Sequence, residues 1–329
     1  IKADKSLNPH MHEVKKVYQN IEISFVKSSE RSINIFNKNF FRDFSNYYLE
    51  WEILEKGMII GTGSLRDINV KPRENKNFKI GIEDFESKKS DLLINIFIKL
   101  KNSEPLIEKD FIIAREQLIL NPYKSLINFI PNSKELSFFE DENKVFVTGK
   151  TFKFEFDKST ARIASYSVDG KEIIQKGGNI NFWRPPTDND YGAKTPSLYI
   201  EWKDLFDNNF SRATTVKKDK KTGGLLINCI TTILNEHAKL NQQYQINTIG
   251  EIHIINELIV NKGQNPDNLL QAAWDGKIAK GTHSNLYRFG NQFELLGEYE
   301  NINYYGRGPI ENEVDRKQAA FVGNYTSSV

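Results

Sequence analysis

The chain of 329 residues carries 45 Lys and Arg against 43 Asp and Glu, a formal net charge of +2, with 39% hydrophobic and 27% charged residues. This near-balance excludes a strongly basic nucleic-acid binder and an acidic tail, and the length suits about two domains with ordinary globular cores. The apolar run Leu92–Leu100 is broken by Asn95 and Lys99, far short of the ~18 residues of a spanning helix, so no membrane partner is expected.

Taken in chain order, Ile1-Lys2-Ala3-Asp4-Lys5 has neither a starting Met nor an apolar signal core, and reads as the interior of a longer polypeptide. His10-Met11-His12-Glu13 resembles a metal cluster only superficially. Spacing of i, i+2 brings two imidazoles to one face only in an extended strand, and no third ligand lies nearby, so no metal is expected. Leu49, Trp51 and Ile53 alternate as a half-buried strand and run into a turn at Lys56-Gly57. Gly61-Thr62-Gly63-Ser64 is too short for a nucleotide fingerprint and reads as a strand turn. Strand signals every 8 to 12 positions before residue 121 suit an immunoglobulin-like sandwich, and a linker is expected over 121–135.

Beyond the linker, Phe152–Asp157 alternates with period two, as do Ile252, Ile254, Asn256, Leu258 and Val260. Asp169-Gly170, Gly177-Gly178, Thr222-Gly223-Gly224 and Asn265-Pro266-Asp267 read as turns. The run Lys217-Lys218-Asp219-Lys220-Lys221 reads as a solvated hairpin tip. Leu198, Trp202 and Leu205 support one short helix after Pro196 in a chain that is otherwise strand. Strand and helix do not alternate, so the fold class is mainly β rather than parallel α/β. The single cysteine, Cys229, excludes an internal disulfide and a thiolate-rich zinc site.

Two segments are dense in residues that fix backbone and polar groups. In Asn181-Phe182-Trp183-Arg184-Pro185-Pro186-Thr187-Asp188-Asn189-Asp190-Tyr191-Gly192, prolines stiffen the chain and Arg184 can fork onto Asp188 or Asp190. Such a segment suits sugar hydroxyls, and equally a self-satisfied polar loop between sheets. In Tyr304–Arg316, Gly306, Gly308 and Pro309 specify a sharp path, and Arg307 and Arg316 can pair with Glu311 and Asp315.

These segments resemble the carboxy-terminal half of bacterial β-galactosidases of glycoside hydrolase family two. Phe182-Trp183-Arg184-Pro185-Pro186-Thr187-Asp188-Asn189-Asp190 is similar to that family's Phe-x-Arg-Ala-Pro-x-Asp-Asn-Asp segment. Tyr305-Gly306-Arg307-Gly308-Pro309, Glu311-Asn312 and Asp315-Arg316 resemble its glycine-proline signature. Ala3-Asp4-Lys5, Pro9-His10 and Glu13–Gln19 resemble the exit from the catalytic barrel, and Ala114-Arg115-Glu116-Gln117 resembles the end of the following sandwich. Glu313, Val314, Leu7-Asn8 and Tyr287-Arg288-Phe289-Gly290 depart from the family pattern and put galactose specificity in doubt.

The resemblance implies an exit segment over 1–18, an immunoglobulin-like β-sandwich over 19–120, the linker, and a galactose-mutarotase-like β-supersandwich over 136–329, cut short at its carboxy end. It implies that the catalytic glutamates of a retaining glycosidase belong to an upstream (β/α)₈ barrel of ~250 residues for which this chain has no room. Magnesium, with sodium or potassium as a further option, would belong to that barrel; no catalytic residue and no cofactor is expected in this chain. The substrate-cleft candidates are Trp183, Arg184, Asp188, Asn189, Asp190 and Gly192, the last as hinge of a loop at the active-site mouth. Arg307, Glu311, Asn312, Asp315 and Arg316 form the structural signature. The implied partners are the barrel, a galactoside and further copies of the full enzyme.

Asn-Glu pairs at Asn235-Glu236, Asn256-Glu257 and Asn312-Glu313 do not end a strand that feeds a helix, so none is expected to be catalytic. Two other readings stand beside the leading one. A stand-alone carbohydrate-binding or structural β-module fits the same strands. An aldose-epimerase-like enzyme would need His237, His253 or His283 to converge with Glu257 or Asp315. Asn209-Phe210-Ser211 and Asn324-Tyr325-Thr326 are glycosylation sequons only in a secretory setting, and the compartment is not legible.

Overall fold

The structure is a computed structural model that describes residues 2–26, 29–81, 90–122, 136–203, 205, 212–220, 222–234, 238–260, 286–313 and 315–328. Most of the expected linker, the Asn209 sequon, Asn235-Glu236-His237, the Asn265-Pro266-Asp267 turn and His283 lie outside the described residues. The chain is mainly β and divides into two compact units, residues 1–126 with 300–329, and residues 127–299.

The first unit opens with helix α1 (His10–Val17), which strand-dominated patterning did not predict. Pro9 stands at its N-cap, Glu13 lies in the first turn, and Lys15 and Lys16 lie in the last, charges that complement the helix dipole. On a helix, residues two apart point about 200° away from each other, so His10 and His12 share no face. Strands β1 (Ile21–Val26), β2 (Ser29–Asn37), β3 (Tyr47–Glu55), β4 (Met58–Leu65), β5 (Asn75–Lys79), β6 (Leu92–Leu100) and β7 (Ile112–Asn121) follow. They form antiparallel sheets β1-β2-β5 and β4-β3-β6-β7. Alternate residues of both sheets, among them Ile23, Ile35, Leu49, Ile53, Ile96 and Ile98, close one core, as a sandwich requires.

Two glycine readings in the sequence are resolved here. Lys56 and Gly57 both take positive φ, 48° and 77°, the two-residue hairpin expected between β3 and β4. Gly61–Ser64 is not a turn but the interior of β4. Gly63 pairs with Trp51 and is needed there, because a Cβ would come within 2.0 Å of the indole. The packing demand of a neighbouring strand, invisible in the local sequence, explains this glycine.

The second unit contains β8 (Ser137–Glu140), β9 (Lys144–Thr148), β10 (Phe152–Asp157), β11 (Arg162–Val168) and β12 (Lys171–Asn181), then three helical turns, α2 (Asp188–Gly192), α3 (Thr195–Leu198) and α4 (Ile200–Lys203). Strands β13 (Arg212–Lys218), β14 (Leu225–Ile233), β15 (Ala238–Ile246), β16 (Ile252–Val260) and β17 (Gly290–Leu295) complete it. A six-stranded sheet, β17-β12-β11-β10-β9-β8, packs on a four-stranded one, β13-β14-β15-β16. Phe152, Phe154 and Phe156 from the first meet Leu225, Ile227, Tyr244 and Ile246 from the second, the face that period-two alternation predicted. The expected single helix is split into α3 and α4, while Trp202 and Leu205 are buried as its spacing required. Gly177-Gly178 is a bulge inside β12, not a turn: the register slips between Gly177 and Asn179, and Gly178 holds φ at 75° against the Tyr244 hydroxyl.

Strands β18 (Asn301–Gly308) and β19 (Phe321–Ser328) pair as a hairpin that belongs to the first unit. Side chains of the sandwich pair with its backbone. The Gln117 amide bonds Val322 in both directions at 2.8 Å, Arg115 donates to the Ala319 carbonyl at 2.6 Å, and Glu13 accepts from the N–H groups of Gln318 and Ala319. Residues 300–329, grouped by sequence similarity with the second domain, are thereby tied to the first unit.

Candidate functional site

The segment leaving β12 is built in layers. Asn181 accepts from the backbone N–H of Trp183 at 2.8 Å, turning the chain as β12 ends, and Pro185-Pro186 prevents further sheet pairing. Phe182 is buried between Trp202 (ring centroids 4.9 Å apart) and Phe289 (5.8 Å, near-parallel). Phe182 and Trp202 join Ile180, Ile233 and Leu240 in a small core that anchors the segment.

On that floor, Thr187 caps α2. Its hydroxyl faces the N–H of Asp190, and the Asp190 carboxylate accepts from the Thr187 N–H at 2.7 Å and its hydroxyl at 2.9 Å. This reciprocal capping box satisfies N–H groups that a five-residue helix cannot pair internally. Arg184 forks onto the same carboxylate at 2.7 and 3.3 Å. Of the two partners that sequence allowed for Arg184, the structure selects Asp190. Burial alone pushes the Asp190 carboxyl up, but the Arg184 hydrogen bond and the two Thr187 donors outweigh it and hold the group at about 2.

Tyr287 closes the layer above. The Arg184 guanidinium lies 4.7 Å from its ring centre, while Trp183 and Tyr199 meet the ring edge-on at 4.9 and 5.2 Å. Its hydroxyl is 2.6 Å from that of Thr195, fixing the first residue of α3. Burial raises the Tyr287 pKa, so the phenol stays protonated and keeps this bond. Sequence reading set Tyr287-Arg288-Phe289-Gly290 aside as a family departure and did not place it here. No local pattern joins residues 92 positions apart, and the only available signal was two aromatics in one departing tetrapeptide.

The structure thus brings Trp183, Arg184 and Asp190 together in a fixed frame, and leaves Asp188, Asn189, Gly192 and Tyr191 (63% exposed) on the solvent side. The segment read as a polar loop is a capped helical turn; Thr187-x-x-Asp190 is a capping-box pattern that went unread. Gly192 does not take a positive φ, and a Cβ there meets no atom within 4 Å. Chemically the exposed rim offers one carboxylate, one amide and one aromatic ring. The second carboxylate, locked to Arg184, cannot carry a proton near neutrality.

The glycine-proline signature lies in the first unit. Arg316 pairs with Glu311 at 2.6 Å, as expected. Arg307 instead donates to the carbonyls of Ala320 (2.9 Å) and Lys317 (3.2 Å), bracing the β18–β19 connection. Asn312 donates to the Arg307 carbonyl at 3.4 Å, and Asp315 is exposed. Glu257 accepts from Asn241 on the outer face of β16, and His253 from the same strand bonds Gln245. Four residues of strand separate His253 and Glu257 by about 13 Å, too far for a shared proton transfer. Among the described residues no three His, Cys, Asp or Glu side chains gather to hold a metal ion.

The chain is mainly β, with a capped polar turn over a small apolar core of its second unit. The family model of the β-galactosidase small chain matches residues 148–329, and that of β-galactosidase domain 4 matches residues 33–121. The chain belongs to the β-galactosidase small-chain family. It is 25% identical to a β-galactosidase of Streptococcus thermophilus over 99% of its length, and 26% identical to those of Psychromonas ingrahamii (99%) and Clostridium acetobutylicum (100%). It covers only 29%, 31% and 34% of those proteins, so the chain spans about a third of the relatives it matches.

Proposed function

We propose that this polypeptide is a non-catalytic part of a retaining β-galactosidase, and that its 183–192 segment forms one wall of the substrate cleft. The observation that carries the reading is the division of labour in that segment. Arg184 and Asp190 are spent on holding the turn, while Asp188, Asn189 and Tyr191 stand free of the frame at the rim. A retaining glycosidase needs two carboxyl groups about 5 Å apart, one to attack the anomeric carbon and one to protonate the leaving oxygen and then activate water. The rim supplies a single carboxylate, Asp188, which suits a hydroxyl contact rather than that pair.

In this reading the frame orients the rim against a galactoside whose bond is broken by glutamates elsewhere in the enzyme. Gly192 is the hinge by which the turn moves, its observed conformation being one that any residue tolerates and its neighbourhood leaving space for movement. A magnesium ion would polarise or organise the substrate only in the catalytic part of the enzyme. The test is direct: in the full-length enzyme, Asn189→Ala and Tyr191→Ala raise KM for an aryl galactoside several-fold. Unchanged KM and kcat in both would remove the cleft role. Binding of galactosides by the 329-residue chain without any partner would favour the stand-alone module instead.

A further inference from the structure

Helix α1 and strand β7 enclose a cavity of about 140 Å³ lined by His12, Lys15, Lys16, Gln19, Ala114 and Arg115. Three cations, Lys15, Lys16 and Arg115, stand against two carboxylates, Glu13 and Glu116, which leaves one positive charge uncancelled. Glu116 is committed to Lys16 at 2.6 Å, and Glu13 to the N–H groups of Gln318 and Ala319. Arg115 spends one N–H on the Ala319 carbonyl and lies over the Phe321 ring, contacts with no negative charge. The Lys15 ammonium sits 4.4 Å from the Phe111 ring centre. Burial, and secondly the Arg115 charge, lower the Lys15 pKa, as expected of cations that share a partly dry site.

We infer that this cavity is a binding site for a small tetrahedral oxyanion of the phosphate class, held between Lys15 and Arg115 with His12 at its wall. A carboxylate is a poorer match, because an ammonium and a guanidinium on facing elements offer donors to more oxygens than a carboxylate carries. Space is sufficient: the 140 Å³ is about ten times the roughly 10–15 Å³ that one water needs. Binding neutralises the mutual repulsion of Lys15 and Arg115 and ties α1 to β7. The inference does not depend on the galactosidase reading, since every residue in it belongs to the first unit.

The probe is inorganic phosphate added to the purified 329-residue chain at constant ionic strength, with chloride and acetate as comparison anions. Saturable heat of binding and a rise in melting temperature specific to phosphate are expected, with amide shifts centred on residues 12–19 and 112–116. Lys15→Met, which keeps the aliphatic stem and removes the ammonium, lowers phosphate affinity at least tenfold, and Lys239→Met in the other unit leaves it unchanged. Stabilisation by phosphate no greater than by chloride, equal binding of acetate, or full affinity in Lys15→Met would overturn the assignment.

Discussion

Replacing Asp190 with Asn removes one charge from the centre of the frame while keeping its shape. The carboxyl moves from an ordinary 3.8 to about 2 in the folded chain. At 1.36 kcal/mol per pKa unit this corresponds to at most about 2.4 kcal/mol. The side chain is 14% exposed and its Arg184 partner 29%, so solvent screening reduces the figure to about 1–2 kcal/mol. For a unit of this size that lowers the melting temperature by roughly 2–8 °C. Because the folded pKa is depressed, the stabilisation is fully present above about pH 4 and is lost as pH falls toward 2. Urea denaturation of both proteins at pH 6, 4 and 3 should therefore show a gap that is widest at pH 6, holds near pH 4 and narrows by pH 3. A gap below about 0.3 kcal/mol at pH 6, or one that does not narrow with acid, would refute the electrostatic account of this turn.

Three further substitutions probe other parts of the structure. Tyr287→Phe deletes only the hydroxyl that meets Thr195; it should cost about 1 kcal/mol and speed amide exchange across 188–199, and unchanged exchange would show that the bond does not fix α3. Gly178→Ala forces a Cβ to within 2.5 Å of the Tyr244 hydroxyl at a φ of 75°, a loss of about 2–3 kcal/mol in chemical denaturation; a neutral result would mean that the β12 bulge is not required. Gly192→Ala meets open space and should be neutral or stabilising by up to about 1 kcal/mol in this chain, yet lower kcat and shift KM in the full-length enzyme if the glycine is a hinge.

Period-two patterning made the strands legible because each sheet buries one face: Phe152, Phe154 and Phe156 point inward as their alternation predicted. Arg184 and its acidic partner were legible for the same reason that makes them effective, since six residues and two prolines leave few ways to arrange the fork. Helix α1 escaped because its apolar residues are few and its order comes from Pro9, dipole-matched charges and contacts with a hairpin some 300 residues away. Gly63 and Gly178 were misread as turn signals for a related reason. A glycine needed to admit Trp51 or Tyr244 looks, in sequence, like one needed for a turn. The contacts of Tyr287 illustrate the general limit: a site assembled from distant segments is invisible until the sheets that carry them are aligned.

The central claim is that the chemistry of bond cleavage lies outside this chain. Incubating the purified 329-residue chain with an aryl β-galactoside, in material from a host lacking its own galactosidase, measures that claim most directly. No release of the aryl alcohol above the buffer rate is predicted; sustained turnover proportional to the amount of chain and abolished by its heat denaturation would contradict it.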